Sequence, residues 1–219
     1  MLPYIVVFKI LIKNHNVIVV SINYRLGPFG WFTHPSIQNM QSGIDQTSNF
    51  GTLDIIQALK WVQSNISLFG GNPKNVTVAG HSAGGHLAAM MLACDWKRVD
   101  PSMPAHWIQK ALSISGLYDL TPLRKTPFLQ DSLRLTAKHA RMASPALWPR
   151  PRKGVLYTVA GGDESPEFLR HNRLIHQVWG ARAVPVCEEL AGLNHFSIVT
   201  DLTKKGTRLN ALTKALLDL

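Results

Sequence analysis

The sequence predicts an α/β protein, a mostly parallel sheet flanked by helices. Three observations predict it. Short runs rich in Val and Ile alternate with runs rich in helix formers along the chain. One stretch, Val76 to His86, reads as a strand entering a small-residue turn and then a helix. A serine, a carboxylate and a histidine then follow one another at the ends of predicted strands.

Taken in order, Tyr4 to Phe8 and Asn16 to Asn23 read as strands. The second is nearly continuous in apolar residues, as a strand covered on both faces should be. About seven residues join them, where a parallel crossover takes roughly a dozen or more. The first is therefore an antiparallel neighbour or a loose end. Tyr24 to Phe50 reads as a long polar loop containing Gly and Pro. Leu53 to Leu68 predicts a helix with Ile55, Leu59, Val62 and Ile66 on one stripe, stopped by Gly70-Gly71-Asn72-Pro73. Asn75 to Ala79 predicts the strand before the small-residue turn, and His86 to Cys94 the helix after it. Trp96 to His106 reads as a loop and Lys110 to Ser115 as a strand. Gly116 to Pro151 is proline-rich, with a helical patch over Leu129 to Arg141, and reads as a small cap-like insertion over the sheet. Val155 to Ala160 is a strand ending in Gly161-Gly162-Asp163, Phe168 to Trp179 a helix, Val184 to Leu190 a strand and Gly192 to His195 a loop. A terminal helix falls within Leu202 to Leu219. The expectation is one domain over 1–219, with the insertion at 116–151.

Composition narrows the function classes. A chain of 219 residues, 46% apolar and 16% charged, has an ordinary globular balance and can bury a sizeable core. A net charge of +10 raises the question of an anionic partner. The basic residues are scattered, in small groups at Arg124-Lys125, Arg150/Arg152/Lys153 and Lys204-Lys205/Arg208, and none is interleaved with aromatics as a base-stacking surface is. Solvated surface charge and no nucleic-acid partner are therefore expected. Two cysteines, Cys94 and Cys187, cannot form a disulfide framework. No apolar run reaches the roughly 18 residues of a membrane span, and Met1 to Ile12 lacks a basic leader and a small-residue cleavage site. The expectation is a cytoplasmic protein with no membrane partner. No His, Cys or Asp spacing suggests a metal, no cofactor is implied, and oligomeric state is left open.

The chemistry-bearing pattern is Gly80-x-Ser82-x-Gly84. A serine at the tip of a strand-to-helix turn sits in a strained backbone, and small neighbours let the helix pack back on the strand. Its hydroxyl then projects at the carboxyl edge of the sheet, the Ala83 amide points at an oxygen bound beside it, and the helix adds its positive end. A serine nucleophile needs a base and a carboxylate to orient that base. Asp163, just past one strand, and His195, in the loop after another, open on the same edge, with Glu164 an alternative carboxylate beside Asp163. His86, one turn after Ser82, lines the pocket or packs beside it. His81 flanks the serine.

Two resemblances cover nearly the whole chain. Val19-Val20-Ser21-Ile22-Asn23-Tyr24-Arg25-Leu26-Gly27-Pro28, Leu53-Asp54 and Gly70 to Thr77 resemble type-B carboxylesterases. Gly80 to Ala89, Ser115-Gly116-Leu117-Tyr118-Asp119-Leu120, Gly161-Gly162-Asp163-Glu164 and Asn194-His195-Phe196-Ser197 resemble the bacterial arylformamidase (kynurenine formamidase-like) esterases. Both belong to the α/β-hydrolase superfamily. The resemblance implies Ser82 as nucleophile, Asp163 as acid and His195 as base. Both families carry a His-Gly-Gly motif whose amides complete the oxyanion hole, and this sequence lacks it, so Ala83 stands as one donor.

The sequence thus leads to an α/β-hydrolase fold with a short N-terminus. Its expected chemistry is a serine hydrolase acting on a small carboxylic ester or aryl formamide through an acyl-enzyme. Tyr118 and Asp119 are expected at the substrate rim. A non-catalytic relative with an incomplete oxyanion hole is the alternative from another class.

Overall fold

The computed structural model describes residues 16–219. The predicted strand at Tyr4 to Phe8 lies outside the described residues. Those described form two compact units, 16–75 and Val76–Leu219.

The unit 16–75 is helical. Residues 16–26 form no strand, contrary to expectation. A β-branched run becomes a strand only when a neighbour takes up its ladder of amides and carbonyls, and no such ladder exists here among the described residues. The long loop expected over Tyr24 to Phe50 instead holds α1 (Gly27–Trp31), α2 (Pro35–Met40) and a 3₁₀ turn, Gly43–Thr47. Pro28 and Pro35 open the two helices at positions whose amides lack an intrahelical partner in any case. The predicted helix is α3 (Phe50–Asn65), continued by 3₁₀ turns over Ile66–Phe69. Of its expected stripe, Val62 and Ile66 are buried, while Ile55 and Leu59 are half-buried. A forked pair from Arg25 (Nε 2.8 Å, Nη2 2.6 Å) and the Arg25 amide at 2.9 Å hold Asp54. The side-chain bonds first, then the amide, hold the Asp54 carboxyl down to about 2.

The unit Val76–Leu219 contains the sheet. It comprises β1 (Thr77–His81), α4 (Ala83–Ala93), α5 (Trp96–Val99), β2 (Lys110–Ile114), α6 (Pro127–Leu133) and α7 (Ala137–Met142). These are followed by β3 (Val155–Gly161), α8 (Pro166–Trp179), β4 (Val186–Leu190), α9 (Ser197–Asp201) and α10 (Arg208–Leu216). The four strands are all parallel in the order β1-β2-β3-β4. Thr77 pairs with Lys110, Lys110 with Val155, and Tyr157 with Val186. Helix α4 packs on β1 and β2, α8 on β3 and β4, and α10 on β2 and β3. Leu112, Leu156, Val159, Ile175, Trp179 and Leu209 are buried in the core. Every strand predicted in this unit is present, with no end displaced by more than two residues.

The segment 116–151 departs from its predicted single patch. Arg134, at φ 45°, ends α6, and Thr136 caps α7 by accepting from the His139 amide at 3.1 Å. The segment is buried where it leaves β2, at Ser115-Gly116, and again at Ser144 to Ala146, and the Ala146 amide donates to the Tyr118 carbonyl at 2.9 Å. The loop expected over Trp96 to His106 includes α5, whose Trp96 packs edge-on against Trp107 at 5.0 Å between ring centroids.

Candidate active site

The site residues gather at the carboxyl ends of β1, β3 and β4. Ser82 follows β1 directly, at φ 57° and ψ −118°. A non-glycine residue there is strained, and its amide is anchored to the Ile114 carbonyl at 2.9 Å. The tightness of the turn falls on one glycine. A Cβ at Gly80 would lie 2.2 Å from the carbonyl carbon and oxygen of Gly84, whereas one at Gly84 meets nothing within 4 Å. The expectation that both glycines relieve crowding therefore holds at Gly80 alone. Ala83 opens α4, so its amide has no acceptor within the helix and lies at the helix's positive end.

The carboxylate that meets the histidine is Glu164. His195 Nδ1 is 2.7 Å from Glu164 Oε2, and the Glu164 side chain is fully buried. The other oxygen, Oε1, accepts from the Gly161 amide at 2.7 Å and from Ser115 Oγ at 2.5 Å. Asp163, the expected acid, is exposed, and its side chain makes no hydrogen bond among the described residues. The reason is the turn after β3. The Glu164 amide bonds back to the Gly161 carbonyl at 3.1 Å, and the Asp163 amide reaches across to the Leu193 carbonyl at 3.0 Å. That curl turns residue 163 outward and residue 164 under the strand end.

The His195 ring lies tilted between those of His81 and Phe168, each at 4.4 Å between centroids, with Phe196 edge-on at 5.6 Å. Burial first, then the nearby His195, lowers the pKa of His81. His81 is bonded in sequence to Ser82, so the His195 ring and the serine are neighbours at this edge. Among the described residues no hydrogen bond joins Ser82 Oγ to His195.

The two expected rim residues, and His86, take other places. Tyr118 is fully buried; its hydroxyl donates to Ser113 Oγ at 2.7 Å and lies 2.8 Å from Thr158 Oγ1, and burial pushes its pKa up to about 12. It belongs to the core, where a phenol beside two hydroxyls is satisfied without water. Asp119 is half-buried and closes a turn, accepting from the Thr121 amide at 2.9 Å, with Arg170 at 3.9 Å. His86 packs rather than lines: its Nε2 meets the Ala143 carbonyl at 2.7 Å, tying α4 to the segment 116–151, and burial lowers its pKa. Ser115 was not singled out from the sequence; it is buried at φ 52° with its hydroxyl on Glu164. The Gly161-Gly162 pair was the available signal for the close packing here, since a Cβ at Gly161 would lie 2.2 Å from the Leu193 carbonyl oxygen.

A parallel sheet with a strained serine on a strand-to-helix turn and a carboxylate–imidazole pair on two later strand ends defines an α/β-hydrolase fold. The chain belongs to the carboxylesterase family, whose family model matches residues 7–143. It is similar to the para-nitrobenzyl esterase of Bacillus subtilis, 49% identical over 102 residues, which are 46% of this chain and 18% of that protein. It is also similar to the kynurenine formamidase of Danio rerio, 33% identical over 142 residues, 62% of this chain and 47% of that protein. The chain thus covers well under two thirds of the length of these relatives. Among solved structures, carboxyl esterase 2 of Tuber melanosporum matches with a TM-score of 0.65 at 16% identity, over 98% of this chain and 70% of that one. The Pyrobaculum calidifontis esterase matches with a TM-score of 0.64 at 19% identity, over 97% and 70%. These two share the fold. Among the described residues no helix is long and apolar enough to cross a membrane.

Proposed function

We propose that this chain is a serine hydrolase that cleaves small carboxylic esters through an acyl-enzyme. Ser82 Oγ attacks the acyl carbon while His195 Nε2 takes its proton. The imidazolium then gives that proton to the departing alcohol, and water attacks the acyl-enzyme with His195 again as base. Glu164, in place of the expected Asp163, holds the ring through Nδ1 and stabilises its charged form. The Ala83 amide donates to the oxyanion. The observation that carries this reading is the buried Glu164 carboxylate on His195 Nδ1 at 2.7 Å, which leaves Nε2 for the serine. Membership of the carboxylesterase family supports the same reaction class. The residues act within one α/β-hydrolase domain whose segment 116–151 shapes the acyl pocket.

A second reading, hydrolysis of an aryl formamide, is favoured by the similarity to a kynurenine formamidase over 62% of this chain. One series tests both: p-nitrophenyl esters of increasing acyl length beside N-formylkynurenine, on the wild type and on Ser82→Ala. Ester turnover that vanishes in Ser82→Ala supports the reading. Faster turnover of the formamide selects the second. Labelling of Ser82 by a fluorophosphonate with no turnover of any substrate overturns both in favour of a non-catalytic relative, since one lost oxyanion donor costs about 10²–10³ in turnover.

A further inference from the structure

At the edge of the sheet opposite Ser82, the amino ends of β2 and β3 open on a cavity of about 530 Å³. Its charged lining is Arg150, Arg152, Lys153 and Arg182, with no carboxylate. Arg25, Arg170, Arg173 and Arg208 each meet a carboxylate elsewhere. Among the described residues these four cations meet none. The walls are fixed by main chain. The Val155 amide donates to the Gln109 carbonyl at 2.9 Å and the Leu156 amide to the Ala183 carbonyl at 2.8 Å. These bonds pin the segment carrying Arg150 to Lys153 on one side and the turn carrying Arg182 on the other. Gly154, at φ 89°, lets the chain pass so close that a Cβ there would lie 2.7 Å from the Gln109 oxygen. The carboxyl end of α8 at Trp179, three residues before Arg182, offers a partial charge of only about −0.5. That leaves most of the positive charge uncompensated.

We propose that this cavity binds a small molecule carrying two phosphoryl groups. A phosphoryl group brings roughly −1.5 to −2 charge at neutral pH, so two match four cations. Three of the four are arginines, whose planar forks take two phosphate oxygens at once. The volume lies within the roughly 300–1,000 Å³ of small-molecule pockets and exceeds what inorganic pyrophosphate fills, leaving space for an organic group. The site stands apart from the proposed hydrolysis and does not depend on it.

Titration calorimetry on the full chain, with pyrophosphate, ADP and inorganic phosphate as probes at low and moderate NaCl, tests this. Expected are saturable one-site binding of pyrophosphate and ADP, phosphate at least about 10-fold weaker, and weakening with salt. Tighter binding of ADP than of pyrophosphate identifies an organic diphosphate as the occupant; the reverse identifies inorganic pyrophosphate. Arg152→Glu/Arg182→Glu lowers affinity at least about 10-fold, with Ser82-dependent ester turnover and the melting temperature unchanged. If that variant unfolds, Arg152→Ala and Lys153→Ala, both at exposed positions, each lower affinity by several-fold. Absence of saturable binding, equal affinity for phosphate, or binding untouched by these substitutions overturns the proposal.

Discussion

Glu164 and His195 are joined at 2.7 Å, whereas Asp163, one residue earlier, faces solvent. Glu164→Gln keeps the shape but presents the wrong hydrogen-bond partner to Nδ1. The expected fall in kcat/KM for a short p-nitrophenyl ester is about 10²–10⁴. Asp163→Asn stays within about threefold. The reverse ranking would return the acid role to Asp163.

Ser115 donates to the second Glu164 oxygen. A hydrogen bond to a charged group contributes about 1.5–3 kcal/mol. Ser115→Ala is therefore expected to lower kcat by roughly tenfold or more while KM stays near its original value. A change in KM alone would place Ser115 outside the positioning of the acid.

The two glycines of the strand-to-helix turn around Ser82 should separate. Gly80→Ala drives a Cβ into the Gly84 backbone, where no flexible side chain can give way. It is expected to cost more than about 3 kcal/mol in urea unfolding, at the high end for single substitutions. Gly84→Ala has open space at a helical position and gains up to about 1 kcal/mol of helix propensity. Equal losses in both would mean that the turn does not pack as described.

Acid should weaken the fold through His171. Its Nδ1 accepts from the Tyr118 amide at 3.0 Å, and its Nε2 faces Glu167 at 3.3 Å. Burial, then the Arg170 charge, pushes its pKa down to about 4. Asp119 and Glu167 oppose that shift and His86 adds to it. Protonating Nδ1 would set an N–H against the Tyr118 N–H. The folded state prefers the neutral ring, so this contribution is complete above the unfolded pKa of about 6.5. It is lost as pH falls from there towards 4, on the order of 3 kcal/mol in all. Urea midpoints at pH 7.5 and pH 5 should differ in this direction, and His171→Gln should flatten the difference. A midpoint that does not fall on acidification would contradict it.

The sheet, the strand-to-helix turn at Ser82 and the position of His195 were legible because each is a local signal: β-branched runs, a glycine–serine spacing, a loop after a strand. Asn16 to Asn23 shows the limit of that signal, since propensity cannot supply a partner strand. The carboxylate that meets His195 was legible only to within one residue. Both Asp163 and Glu164 sit past β3, and the choice is made by a turn whose hydrogen bonds run to Gly161 and Leu193, the latter 30 residues away. Tyr118 was misplaced at the rim because a tyrosine after a strand reads alike in core and surface. Its burial is decided by Ser113 and Thr158, on two different strands.

The loops bearing Glu164 and His195 are sewn together through main-chain atoms. The Gly162 amide bonds the Leu190 carbonyl, the Asp163 amide bonds the Leu193 carbonyl, and Gly161 lies too close to Leu193 for any side chain. The spacing between the Glu164 carboxylate and the His195 imidazole is thereby written into the peptide backbone. Phe168 and Phe196 touch the ring only through their side chains, so exchanging them leaves those main-chain bonds in place.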